Sequence, residues 1–453
     1  MAESAEQDKT EISRLLFSAA IETQDSQQIA QLLSAMHSAE IADLLESLPH
    51  HQRDAIGQVI PKDIEARVLL ELGDEARDHF ISDKSAAEMA TLIASLEDVD
   101  DQADLLLPLP NALIVQVLHI FDVKKRQKLE AVLAYPEDTA GGLMNTDTIT
   151  VRADVTLDVV LRYLRMLGTM PRHMDRLFVV DRHDRYLGVL SIRTLLTRAT
   201  DNTVIDHMRT DVEAIPVDTH ESEVARLFED KDLISAPVVE NNNTLLGRIT
   251  VDDIVDVIRD ESEHSMMSMA GLSEEEDIFA PVFPSAKRRS VWLGINLMTA
   301  LLASWTIGLF QHALDKIVAL AILMPIVASM GGIAGSQTLT LVIRGLALGQ
   351  VGRTNQRWLL GKEAAVALLN GLLWSITVAI LAMLWFNDPE IGLILGIALV
   401  INLVFGALAG VTIPITLRRF GIDPALAGTV VLTTVTDIIG FIAFLGLATW
   451  WLL

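Results

Sequence analysis

Five long apolar runs are crowded beyond residue 290, and they dictate what the chain can fold into. They cover residues 291–310, 317–343, 364–386, 391–417 and 424–453, and only the last contains a charge. Each holds 20 residues or more, enough to cross ~30 Å of hydrocarbon at ~1.5 Å per helical residue. The connecting segments alternate in charge. Lys287, Arg288 and Arg289 precede the first run, Arg344, Arg353, Arg357 and Lys362 follow the second, and Arg418 and Arg419 follow the fourth, whereas the other two loops hold only Lys316. The positive-inside rule then places the N-terminal part in the cytoplasm and the C-terminus outside, with Trp385, Trp450 and Trp451 at the outer boundary as interfacial anchors. The N-terminus, MAESAEQDKTEIS, is polar and acidic with no signal-peptide core, so it is expected to stay in the cytoplasm.

Charge divides the chain in two. Up to Ser290 there are 28 Lys and Arg against 54 Asp and Glu, and beyond it 7 against 6. Such acidity means self-repulsion unless cations screen or bridge it, and it argues against nucleic acid as a partner. With no cysteine in the chain, disulfides and thiolate metal sites are excluded. Any metal must be held by oxygen or imidazole, which favours hard ions such as Mg²⁺, Ca²⁺ or Mn²⁺.

Asp437 is the lone charge in the last run. A carboxylate near the middle of a membrane helix costs at least ~2.5–3.5 kcal/mol and normally faces a protein interior or a wet path. The bland alternative is a structural Asp satisfied by Thr433, Thr434 or Thr436. Thr429, Thr433, Thr434, Asp437 and Gly440 recur at helical spacing. A face of hydroxyls and one carboxylate suits hydrated Mg²⁺, which sheds water reluctantly. One Asp per chain is thin for a divalent ion, so a homodimer supplying two is attractive. The second run contains Pro325 and the Gly331-Gly332-Ile333-Ala334-Gly335 stretch, followed by Ser336, Gln337 and Thr338. It reads as a broken, pore-lining helix, although close helix packing explains the glycines equally well, as at Gly406 and Gly410.

The acidic part is built of repeats. The segments from Leu177 and from Ala236 match at an offset of 59 and read as strand, turn, strand, helix, each after a methionine-led strand (Met144, Met208) and a helix;. This pattern resembles a tandem pair of CBS domains, small α/β regulatory modules that often bind adenine nucleotides. Upstream, Ala39-Glu-Ile-Ala-Asp-Leu-Leu-Glu-Ser-Leu48 and Ala87-Glu-Met-Ala-Thr-Leu-Ile-Ala-Ser-Leu96 align at an offset of 48. Short amphipathic helices punctuated by Pro49, Pro61, Pro108 and Pro110 suggest a stacked, superhelical all-α array. The motif Tyr135-Pro-Glu-Asp-Thr-Ala-Gly-Gly-Leu-Met144 joins the two parts.

Order and motifs together resemble the MgtE family of bacterial magnesium channels over nearly the whole chain. The resemblance implies a multidomain protein: an acidic helical N domain (1–134), CBS domains at 135–203 and 204–261, a basic-ended plug or connecting helix (262–290) and a five-helix transmembrane domain (291–453). It implies a homodimer in the lipid of the inner (plasma) membrane, with one pore lined by the second and fifth spans. Asp437 matches the family's pore aspartate, with Thr433, Thr434 and Gly440 beside it. Asp100 and Asp104 match sensor acids of the helical domain, and Asp232, Asp253, Asp256 and Glu261 those of the CBS and plug region. These bind regulatory Mg²⁺ and favour closure. An adenine nucleotide at the CBS pair is implied by the modules' habit.

Two departures stand out. His264 and Ser265 occupy positions where the family usually has acids, which puts the strength of Mg²⁺ sensing in question and adds pH dependence. Ile333 stands where the family usually has Asn, which puts selectivity or gating in question. The leading expectation is a Mg²⁺-gated channel importing Mg²⁺ down its gradient. The alternatives are a transporter of another divalent ion, such as Co²⁺ or Mn²⁺, and a non-conducting nucleotide sensor in the membrane. No nucleophile–base constellation or Walker loop is evident, so an enzyme is not expected.

Overall fold

The computed structural model describes Phe17, Ala20 and residues 26–171, 173–272 and 276–453. These form two compact units: the described residues up to 262 with 276–281, and residues 263–272 with 282–453.

The first unit opens with nine short helices, among the described residues, between Ser26 and Val132. The sequence repeat survives in their capping. Helices Ser38–Glu46 and Ala86–Ser95 each begin with a backbone N–H, of His37 or Ser85, donating to the carboxylate of Glu40 (2.7 Å) or Glu88 (2.8 Å). This reciprocal cap satisfies donors that a helix start leaves orphaned. Pro49 and Pro110 stand at the caps of His50–Gly57 and Asn111–Ile120, so the prolines punctuate the array as expected. The inward faces form one core in which Leu33, Ile41, Leu45, Ile56, Met89 and Ile93 are fully buried, each contributing about 1.5–3 kcal/mol.

Two three-stranded sheets follow, β1 (Thr150–Arg152), β2 (Arg176–Val180), β3 (Tyr186–Ser191) and β4 (Ile215–Pro216), β5 (Ser235–Val239), β6 (Leu245–Thr250). In each, the first strand pairs parallel to the second and the second antiparallel to the third. Even the irregularities repeat. The register shifts between Val179 and Val180 and again between Val238 and Val239, and the hairpin turns place Asp184 and Asn243 at φ +57° and +66°. The two hairpins pair tip to tip, Tyr186 N–H donating to Asn243 O and Leu245 N–H to Asp184 O.

The methionine-led segments, however, cross over. Met144 and Ala140 are buried in the core of the second module, and Asn145 exchanges backbone hydrogen bonds with Arg248 of β6. Arg209, just after Met208, does the same with Val189 of β3 in the first module. Each module is therefore completed by a segment that precedes the other one. Sequence order alone assigns them to the module that follows.

The connecting helix runs Val251–Met269. It ends at Gly271 (φ +74°), where Gly271 N–H bonds Ser268 O and Leu272 N–H bonds Met267 O, an arrangement that satisfies the last carbonyls and turns the chain. The expected basic end is not on this helix. Lys287, Arg288 and Arg289 lie on the next one, Val282–Gly308, which is the first membrane span.

The second unit contains five helices long and apolar enough to cross a membrane: Val282–Gly308, Val318–Ala347, Gln356–Phe386, Pro389–Arg419 and Pro424–Leu452, here spans 1 to 5. Spans 4 and 5 begin alike, with Asp388 and Asp423 capping the N–H groups two and three residues on and Pro at the first helical position;. Span 4 is the hub, packed against spans 2, 3 and 5. The expected break in span 2 is absent, since the helix is continuous through Pro325 and the glycines. The glycines serve close packing instead. A Cβ at Gly406 would come within 2.8 Å of Gly331 O, and one at Gly410 within 2.6 Å of Gly335 O, so spans 2 and 4 touch backbone to backbone, as small residues permit.

Candidate ion pathway and acidic cleft

Asp437 lies two turns before Phe444 on span 5, half-buried, with Thr433 exposed and Thr434 half-buried on the turn before it. The three hydroxyls that could have satisfied it are otherwise engaged. Thr433 Oγ1 donates to Thr429 O and Val430 O, Thr434 Oγ1 to Val430 O and Thr436 Oγ1 to Thr433 O, all at 2.7–3.1 Å. Backbone carbonyls have taken the protons, so Asp437 is left with a carboxylate that the neighbouring threonines do not cap. Gly440 is buried: a Cβ there would meet Asn402 Nδ2 at 2.6 Å and Val327 Cγ1 at 3.1 Å. It therefore faces spans 4 and 2, while Ser336 and Gln337 on span 2 keep partly or fully exposed side chains.

Charge-counting along the spans passes over two further buried polar groups. Asn402 of span 4 is completely buried and donates its Nδ2–H to Val327 O of span 2 at 2.8 Å. Glu363, seven residues into span 3, is 5% exposed, accepts Thr338 Oγ1–H of span 2 at 3.1 Å and pairs with Lys362 at 2.7 Å. An Asn inside an apolar run and a Glu at its edge are both legible as interhelical polar contacts.

In the first unit, two of the predicted acids, Asp100 and Asp253, meet at one cavity. Asp98, Asp100, Asp101, Asp252 and Asp253 line a cavity of about 90 Å³ together with Asn145, Thr250, His173 and Arg248. Asp100 is buried, and that burial, with Asp253 and Asp101 close by, pushes its carboxyl well above the usual carboxylate range. Asp253 is pushed up to about 7, first by burial, against the hydrogen bonds it accepts from Thr250 N–H (3.0 Å) and Oγ1–H (2.9 Å) at the start of the connecting helix. Asp104, on the same short helix as Asp100, also reaches about 7 through burial and the charges of Asp101 and Glu137. Asn145 offers its Nδ2–H to both Asp98 (3.2 Å) and Asp100 (3.0 Å). It is the residue after the YPEDTAGGLM motif, and the pattern of acids alone did not single it out.

The carboxyls stay raised although Arg248 and His173 also line the cavity, so acids outnumber bases there by five to two. The residues present fit a cation in this cleft, though not one stripped of water. Among the described residues, no three His, Asp or Glu side chains converge closely enough to hold a bare ion. Carboxylate oxygens suit a hard ion such as Mg²⁺ that keeps water in its shell.

Asp104 is buried beside this cleft without lining it, and the remaining predicted acids lie elsewhere. Asp232 is exposed at the end of helix Glu221–Lys231, in left-handed backbone at φ +50°. Asp256 is exposed, 3.6 Å from Arg259, and Glu261 is exposed further along the connecting helix. His264 lies 3.2 Å from Asp423 Oδ2, the carboxylate that caps span 5.

Known proteins share this organisation. A family model for a divalent cation transporter matches residues 324–447, one for the MgtE intracellular N domain matches 36–138, and CBS domain models match 140–201 and 204–260. A magnesium transporter MgtE of Thermus thermophilus is 30% identical over 433 residues, covering 95% of this chain and 96% of its own length. The chain belongs to the MgtE family. A second MgtE, from Bacillus subtilis, is 30% identical over 82% of each chain. Among solved structures, the cytosolic domain of the Mg²⁺ channel MgtE in complex with ATP is 30% identical, with a TM-score of 0.49 over 54% of this chain and 99% of that one. In this MgtE protein, then, the helical domain, the CBS pair and the five spans occupy the family's order.

Proposed function

We propose that this MgtE protein conducts Mg²⁺ across the bacterial inner membrane, with the cytoplasmic part sensing Mg²⁺ and closing the path. Asp437 carries the reading. It is a carboxylate in a membrane helix whose threonine neighbours spend their hydroxyls on backbone carbonyls, so its negative charge is available to a passing hydrated ion. Thr433 and Thr434 offer oxygens on the turn before it. Two chains related by a twofold axis would set two such carboxylates at one path. The basic flanks of the spans support a cytoplasmic N-terminus and an external C-terminus.

Gating follows from the cleft. Asp100, Asp104 and Asp253 repel one another when charged, and bound Mg²⁺ would relieve that repulsion. Mg²⁺ can favour closure only by binding the closed form more tightly, since equal affinity shifts no equilibrium. The exposed Asp232, Asp256 and Glu261 are assigned to the same sensing role across a second copy. An adenine nucleotide is assigned to the CBS pair on the resemblance of its repeats.

Divalent uptake into proteoliposomes tests the reading. Asp437→Ala, and also Asp437→Asn, is expected to cut Mg²⁺ uptake at least tenfold with dimer assembly intact. Uptake at the wild-type rate would remove Asp437 from the path. Ile333, 52% exposed on span 2, motivates the second reading, transport of Co²⁺ or Mn²⁺. Competition of those ions against Mg²⁺ separates the two.

A further inference from the structure

Three spans meet at one amide. Asn402 is buried to 0% exposure in the middle of span 4, and its Nδ2–H reaches Val327 O of span 2 at 2.8 Å. Two glycines make room for it. A Cβ at Gly331 would stand 2.1 Å from Asn402 Nδ2, and a Cβ at Gly440 2.6 Å. Gly331 lies one turn after Val327 on span 2, and Gly440 lies three residues after Asp437 on span 5. The helix already uses Val327 O as an acceptor, so the amide takes its second lone pair. Asn402 Oδ1 is buried without a hydrogen-bond partner among the described residues. A buried orphan acceptor is costly, and apolar packing alone would have avoided it. Polar side chains held in a membrane interior at such a cost tend to serve function.

Resting on the pathway reading above, we propose that Asn402 is a positioning residue for ion passage. Its amide fixes the height of span 2 against span 5, and so fixes where Asp437 stands relative to Ile333, Ser336 and Gln337. The side chain is too deeply buried to touch the ion. It acts through the glycines packed on either side. Neither helix can slide along the other without driving a backbone into the amide or breaking the bond to Val327.

The test is uptake of Mg²⁺ and of Co²⁺ by the full chain in proteoliposomes. Asn402→Leu keeps the branched shape and removes the donor; Gly331→Ala keeps the amide and pushes it from Val327. Each should lower Mg²⁺ uptake at least tenfold and change the Mg²⁺-to-Co²⁺ ratio at least threefold, a shift that mere loss of folded protein cannot produce. The two changes break one interaction, so the Gly331→Ala/Asn402→Leu chain should lose no more than the worse single. Losses that multiply, or an unchanged ion ratio in the singles, would overturn the proposal. If Asn402→Leu does not assemble, Gly331→Ala carries the same comparison. Asp437→Ala is run alongside. Full uptake there sinks the pathway reading itself, whereas its loss together with unaltered Asn402→Leu and Gly331→Ala sinks only the positioning role.

Discussion

Arg53 and Asp277 lie 224 residues apart and form a buried, two-pronged ion pair, Nη2 to Oδ1 at 2.9 Å and Nη1 to Oδ2 closer still. Arg53 is wholly buried, and its Nε–H and Nη2–H also donate to the carbonyls of Leu45, Leu48 and Glu46. Asp277 accepts Phe279 N–H as well, while its own N–H donates to Glu75. The segment that leads into span 1 is thus fastened to the helical domain by full charges. Losing one partner would leave the other buried and unpaired, at about 3–5 kcal/mol. Asp277→Asn should therefore lower the melting temperature of the detergent-solubilised chain by several degrees and speed tryptic cleavage near Lys287. An unchanged melt would mean that the pair contributes nothing to stability.

The same pair gives an acid limit. Burial pushes Asp277 up, but the hydrogen bonds from Arg53 and Phe279 and the charges of Arg53 and His50 outweigh it, so its carboxyl is held below the usual range. Its stabilisation is present above about pH 4, the unfolded value, and is lost as pH falls through the lower folded one. Acid titrations of the wild type and Asp277→Asn, followed by tryptophan fluorescence, should converge once the pH has fallen through that lowered folded value. Curves that stay a constant distance apart would argue against the linkage.

The cleft behaves in the opposite sense. Asp104 and Asp253 are raised to about 7, and Asp100 is raised well above normal. A carboxyl raised by folding binds protons better when folded, so stability falls as pH climbs from about 4 to about 7. On the proposed reading, Mg²⁺ would take over from the proton. At matched ionic strength, the rise in melting temperature caused by millimolar Mg²⁺ should be larger at pH 8 than at pH 6, and chelation should cost more at pH 8. Equal shifts at the two pH values would rule the cleft out as the Mg²⁺ site. Asp100→Asn with Asp253→Asn should flatten the response.

His264 stands 3.2 Å from Asp423 at the head of span 5. A carboxylate in its place would face Asp423 across a gap fit for a divalent ion, since charge count tunes affinity for hard cations. His264→Glu with Ser265→Asp is therefore expected to move closure to lower Mg²⁺ in patch-clamp titration. No shift, or a shift upward, would remove these positions from the sensor.

Glu363 and Thr338 tie span 3 to span 2 with both side chains buried. Glu363→Gln retains an acceptor and should be mild. Glu363→Ala strands the hydroxyl of Thr338, at about 1–3 kcal/mol, and should reduce both the melting temperature and the yield of folded protein. If glutamine proves as harmful as alanine, the charge matters more than the hydrogen bond.

Much of this was readable from residue order. Long apolar runs and the 48- and 59-residue offsets report local periodicity, which the elements reproduce down to the repeated strand irregularities at Val179 and Val238. Asp437 could be picked out because solitary charge in a membrane helix is costly wherever it points. Contacts set by tertiary structure were less accessible. The crossing over of Met144 and Met208 depends on which sheet edge is free, and Asp100 meets Asp253 only because Asn145 brings the helical domain against β6. The uninterrupted span 2 shows the limit most directly, because Gly331 and Gly335 read alike as breakers or as contacts until span 4 is known to lie against them.

Span 4 is more deeply enclosed than any of the other four, with 61% of its apolar window inside the protein, yet it is fourth to leave the ribosome. Span 5, which covers one of its sides, follows it into the bilayer. During that interval the Asn402 amide has span 2 to bond, but the face later closed by Gly440 meets lipid. The strongly apolar composition of span 4 is what keeps it in the membrane until the last helix arrives. Assembly should therefore be most vulnerable before span 5 packs, the helix that also delivers Asp437.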